Sequence, residues 1–196
     1  MATDYGLLGS LLYEAQKSPP KRRCFISYHH ADEDEVRDFL DTYSNSEVFA
    51  HRALGLEMEP DVINSMDTDY VMRRIRELYM QNTSVTIVMI GRNTWGRRYV
   101  DWEIAASLRN AMYAPANGLL GITLPSFRQG DPFPDRLNDN LNTADAPAGT
   151  ECYARWIPYP TNAAALQGAI EAAYQRRETH AHLIRNVRAR FVYNRS

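Results

Sequence analysis

The chain has 196 residues, 44% of them hydrophobic and 23% charged, which fits one globular domain and excludes wholesale disorder. A net charge of −2 argues against a whole-surface binder of nucleic acid or anionic membrane. Cys24 and Cys152 are too few for a disulfide scaffold or a four-cysteine zinc site, and no apolar run is long enough to span a bilayer.

Acids and no base precede Lys17, so the start does not read as a secretory signal and a cytoplasmic location is expected. Leu7, Leu8, Leu11 and Leu12 make a weak amphipathic start that ends at Ser18-Pro19-Pro20, and residues 1–20 are read as an extension. Cys24–Tyr28 is predicted as a short buried strand. Val36, Phe39, Leu40 and Tyr43 follow at helical spacing, with Asp32–Glu35 at the positive end of that helix dipole. Val48–Ala50 is read as a short strand, Leu54–Met66 as irregular loop and Tyr70–Met80 as helix.

Ser84–Ile90 is β-branched, uncharged and closed by Gly91, the pattern of a strand buried on both faces of a parallel sheet. Arg97–Tyr113 is predicted as helix with Val100, Ile104, Ser107, Leu108 and Ala111 inward. Gly118–Leu124 is another strand, Pro125–Glu151 a long polar surface loop, Trp156–Tyr159 an edge strand and Asn162–Arg177 the closing helix. Strands alternating with helices imply an α/β fold with a mostly parallel sheet and helices on both faces, here over residues 21–176, followed by a basic helix or tail over 177–196. Ligands of such sheets bind beyond the carboxyl ends of the strands.

Two residue groups converge on those ends. Ser27, Tyr28, His29 and His30 end the first strand; Trp95, Arg97, Arg98, Tyr99, Trp102 and Glu103 follow the Ser84–Ile90 strand. On a helix advancing about 100° per residue, Glu103 falls on the flank of the buried stripe and Trp102 nearly opposite it. A carboxylate on that flank is open to partial desolvation, which raises its pKa and suits it to chemistry. The alternative is a solvated glutamate paired with Arg97 or Arg98. Trp102 is read as a partner contact or as a ring covered by the Pro125–Glu151 loop, and Tyr99 as a stacking platform or a helix-boundary filler. Ser27 and His29 offer a hydroxyl and an imidazole to a polar ligand, or else a strand-end cap and a surface histidine. No spacing resembles a metal site, and there is no Gly-rich phosphate loop.

Arg23-Cys24-Phe25-Ile26-Ser27-Tyr28 followed by an acidic helix resembles the opening of TIR domains. Asn82–Gly91, then Thr94 and Arg98-Tyr99-Val100-Asp101-Trp102-Glu103-Ile104, resembles the TIR-like domains of Thoeris anti-phage systems. The resemblance covers roughly Lys21 to Tyr174. It implies a flavodoxin-like parallel sheet, cleavage of the nicotinamide–ribose bond of NAD as substrate with no separate cofactor, and an essential glutamate at Glu103. Tyr99 and Trp102 stand at the family's aromatic positions, with Phe25, Ser27, Tyr28, His29 and Arg98 as further substrate contacts. The expected product is an ADP-ribose-derived nucleotide, typically cyclic, that activates a separate effector.

Three other readings stay open. A non-enzymatic signalling module would associate through Trp95, Trp102 or the tail, where Arg176, Arg177, Arg185, Arg188, Arg190 and Arg195 face only Glu178. The same tail could bind nucleic acid, although Leu183, Val187 and Phe191 recur at fourfold spacing and would dock a helix on the domain; nucleic acid and membrane are not expected partners. A nucleoside deoxyribosyltransferase-like enzyme would share the sheet and the carboxylate.

Overall fold

Val85, Ile87 and Met89 alternate with Thr86, Val88 and Ile90 along a strand with no solvent-exposed residue, and this strand forms the centre of the molecule. The computed structural model describes residues 21–44, 48–53, 62, 64–110, 115–141 and 151–195. Five strands form one all-parallel sheet: β1 (Arg22–Ser27), β2 (Phe49–Ala53), β3 (Val85–Ile90), β4 (Gly118–Thr123) and β5 (Arg155–Ile157), in the order β2-β1-β3-β4-β5. Helices whose bounds lie among the described residues are α1 (Glu33–Tyr43), α2 (Thr68–Tyr79), α3 (Arg98–Ser107), α4 (Asp135–Asn138) and α5 (Ala163–Thr179). This is the flavodoxin-like α/β architecture expected from the sequence.

The side-chain period of two sorts the strands onto two faces. Cys24, Ile26, Ile87, Met89, Leu120 and Ile122 pack with Val36 and Phe39 of α1 and Leu166 and Ile170 of α5. Phe25 lies on the other face with Val71 and Ile75 of α2 and Trp102 and Ala106 of α3. Val88, Ile90 and Leu119 join Val100, Ile104, Leu137 and Tyr153 on that same face. Ser27, two residues after Phe25, therefore points toward α3. Asp67 caps α2 by accepting from Asp69 N (2.8 Å) and Tyr70 N (3.1 Å), and Asn162 caps α5 by accepting from Ala165 N (2.9 Å).

Consecutive strands move outward from β1 to β2, then from β3 to β5 on the other side. The order reverses between β1 and β3, and it is beyond the carboxyl ends of strands at such a reversal that doubly wound sheets bind their ligands. Ser27 closes β1 there, and Gly91 follows β3.

Three expectations change. Trp102 is neither an open partner contact nor a ring under the Pro125–Glu151 loop: it is 3% exposed, and Arg190 and Phe191 lie against it. A helical wheel assumes one buried face, whereas residues 100–107 are buried without interruption because a distant segment covers the outer side of α3. Second, α5 ends at Thr179 and a short 3-10 turn spans Ala181–Leu183, but residues 184–195 hold no helix. They lie as an irregular strap across α3, with Val187 fully exposed and Phe191 buried, so the fourfold spacing does not describe a docked helical face. Third, Pro125–Glu151 is more than loop, since α4 lies within it and buries Arg136 at 1% exposure. Residues 1–20, most of Leu54–Met66, the end of Arg97–Tyr113 and residues 142–150 of the predicted loop lie outside the described residues.

Candidate active site

Ser27 and Glu103 meet beside the reversal of strand order. Ser27 Oγ donates to Glu103 Oε2 at 2.5 Å, and Ser27 is wholly buried while Glu103 is 7% exposed. Burial pushes the Glu103 carboxyl up to about 8, against the opposing pull of the Ser27 hydrogen bond. At neutral pH this carboxyl is mostly protonated but within reach of ionisation. Ser107 steadies the helix behind it: its hydroxyl donates to the Glu103 carbonyl at 2.8 Å and shares a 2.7 Å bond with Thr86 Oγ1 of β3.

A second polar group spans the same reversal point. Thr94 Oγ1 donates to Asp32 Oδ2 at 2.9 Å and accepts from Gly91 N at 2.8 Å. The Asp32 carboxyl lies flat against Gly91, where any Cβ would overlap it. Burial raises the Asp32 pKa, opposed by the Thr94 hydrogen bond. Asp32 thus ties the loop after β1 to the loop after β3. The sequence shows it only as one of several acids at a helix start, and nothing in the spacing singles it out.

His29 is half-buried; burial, then the Arg97 and His30 charges, lowers its pKa to about 4, so the imidazole is neutral at physiological pH. Tyr28 packs against the α1 side of the core. Burial raises its phenol pKa, with further increments from Glu33 and Glu103, so it feels the Glu103 carboxylate. Phe25 is wholly buried in the core cluster that contains Trp102, so its side chain is packing in the sheet–helix core.

Tyr99 and Trp102 pack edge to face, ring centroids 5.8 Å apart. Arg98 stacks over both rings, donates to Tyr99 OH at 2.8 Å and donates to the Val192 carbonyl at 3.1 Å. Arg190 covers Trp102 with its guanidinium 4.6 Å from the ring centre. The structure therefore brings Ser27 and Glu103 together beside the reversal of strand order, while Arg98, Tyr99 and Trp102 gather under the strap.

Two shallow hollows of about 370 and 390 Å³ lie at the amino end of the sheet, around Arg23 and His51 and around Arg76 and Thr83. Neither is lined by Ser27 or Glu103. Among the described residues no group of three or more His, Cys, Asp or Glu is arranged to hold a metal, and no helix is long and apolar enough to cross a membrane.

The family model described as Thoeris protein ThsB, TIR-like domain, matches residues 25–129, more than half of the chain. The match takes in Ser27, Asp32, Tyr99, Trp102 and Glu103 and ends before the strap. No curated protein matches the chain.

Proposed function

The chain belongs to the TIR-like domain family of the Thoeris protein ThsB, and from that premise we propose that it cleaves the nicotinamide–ribose bond of NAD. A TIR-type signalling role in defence goes with the family. The finer reading is that the product is an ADP-ribose-derived nucleotide, cyclic in form, that activates a separate effector. The observation that supports the cleavage reading is the buried Ser27–Glu103 pair beside the point where strand order reverses.

Breaking the C1′–N bond sends its electron pair to the pyridinium nitrogen and releases neutral nicotinamide. An oxocarbenium-like ribosyl cation remains, which an adjacent carboxylate stabilises in a site of low dielectric. Glu103 suits this task because burial holds its pKa at about 8. The approach of cationic substrate favours the ionised carboxylate, and Ser27 directs one of its oxygens. Attack on C1′ by water gives the linear product; attack by a hydroxyl of the same nucleotide gives a ring. In either case the proton released from the attacking oxygen goes to Glu103. Such proton transfer is worth roughly 10²–10⁴-fold in rate.

The test is nicotinamide release from NAD by purified protein and by Glu103→Gln, with mass analysis of the nucleotide left behind. The substitution keeps the side-chain volume and removes the ionisable oxygen. Turnover is expected to fall by at least about 10²-fold with the folded spectrum retained. Wild-type turnover by a folded Glu103→Gln protein overturns the assignment. A native chain that releases no nicotinamide in any state of self-association supports a module that signals by association alone.

A further inference from the structure

A helix packed on a sheet ordinarily leaves one side to solvent. In α3 the outer side, which carries Asp101 and Trp102, is as buried as the inner. Its cover is the strap of residues 184–195. No side chain of α3's own N-terminal turn caps the helix; instead Asn194 Oδ1 accepts from Arg98 N at 2.9 Å, an N-cap supplied from the far end of the chain. Beside it, Arg195 N donates to the Gly96 carbonyl at 2.8 Å. Trp102 Nε1 donates to the Phe191 carbonyl at 2.8 Å, and Asn186 Nδ2 donates to the Ala105 carbonyl at 2.9 Å.

One ion pair binds these contacts together. Arg136 of α4 donates through Nε to Asp101 Oδ1 at 2.9 Å and through Nη2 to Asp101 Oδ2 at 3.3 Å, with both side chains nearly inaccessible. The same guanidinium donates to Asn186 Oδ1 and to the carbonyls of Arg188 and Ala189 in the strap. Asp101 Oδ2 in turn accepts from Phe191 N at 2.9 Å. A buried ion pair adds little net stability over an apolar pair of the same volume. What this one supplies is direction: its donors and acceptors fit only when strap, α4 and α3 share one register.

We propose that residues 184–195 form a clasp that positions α3 for the chemistry of Glu103, with Asp101 and Arg136 as the positioning residues. The proposal rests on the NAD reading above. Asp101 and Glu103 project about 200° apart around the helix. The clasp therefore pins the outer side through Asp101 while Ser27 holds the inner side through Glu103. Releasing the outer pin lets α3 roll and draws Glu103 away from the reacting carbon.

The test uses the full chain carrying Asp101→Leu with Arg136→Met, an apolar replacement that keeps the interior filled. Hydrogen exchange at 184–195 is expected to become fast, and exchange within α3 to rise about tenfold as its local opening becomes easier. Turnover of NAD is expected to lose roughly 100-fold in kcat, the scale of a misplacement near 1 Å, with little change in KM. A mobile strap over an α3 whose protection and kcat match the wild type overturns the proposal. If the double variant does not fold, Asn194→Ala decides: faster exchange in the first turn of α3 with a several-fold lower kcat supports the clasp, and no change in either sinks it. If the wild-type chain releases no nicotinamide, the NAD reading falls, and the exchange arms alone decide the clasp.

Discussion

Ser27, the last residue of β1, and Glu103, in α3, stand 76 positions apart in sequence and share one buried hydrogen bond of 2.5 Å. Two elements that flank the reversal of strand order thereby meet at a carboxyl group. The hydroxyl favours the ionised form of that carboxyl, while burial favours the neutral form and prevails.

Removal of the hydroxyl tips this balance further. In Ser27→Ala the Glu103 pKa is expected to rise, by less than about one pH unit given a hydrogen bond worth about 1 kcal/mol. The basic shift of the pH–kcat/KM profile for nicotinamide release checks it. A profile that stays in place separates the hydroxyl from the ionisation.

The wild-type profile has its own expected form. With the carboxylate as the active species and a pKa of about 8, kcat/KM rises with pH and levels off above that value. A rate already level from pH 5 upward would mean that another group controls the reaction.

Stability runs the other way. Between an ordinary carboxyl value of 4.5 and about 8, folded Glu103 keeps a proton that the unfolded chain gives up. Folding therefore loses stability as pH rises through that window. Glu103→Gln has no such proton, so its melting temperature is expected to exceed that of the wild type by a margin that grows from pH 5 to pH 8.5. Scanning calorimetry at the two pH values checks the sign.

At Gly91 the constraint is space. A Cβ there overlaps the Asp32 carboxyl that bonds Thr94, so Gly91→Ala is expected to destabilise by about 1–3 kcal/mol. Adding Asp32→Ala removes the obstacle, and the double variant is expected to melt above the sum of the single effects. Strict additivity in a double-mutant cycle would show that the overlap is not the cause.

His29 provides a spectroscopic check. Its pKa of about 4 predicts a ring resonance that stays flat from pH 5.5 to 8, where an unperturbed histidine titrates. A midpoint near 6.5 would show that its burial and the Arg97 charge do not act on it as described.

The strands and the main helices were legible because each buries a face whose period is written locally: two along β1 and β3, near 3.6 along α1 and α5. Glu103 was legible in the same way, as an acid on the flank of an apolar stripe. Trp102 was misleading for the same reason. Its cover comes from Arg190 and Phe191, more than 80 residues downstream, and helical periodicity does not record what a distant segment lays over a helix.

From the residue order alone came an alternating α/β chain, a parallel sheet and a carboxylate beyond the strand ends, because local periodicity and turn chemistry are short-range properties. Only the tertiary structure decided that Ser27 holds that carboxylate, that Asp32 and Thr94 join the two loops, and that the arginine-rich end is a strap. Those contacts join residues from about 60 to 100 positions apart, and such pairings depend on how the sheet and helices stack in space.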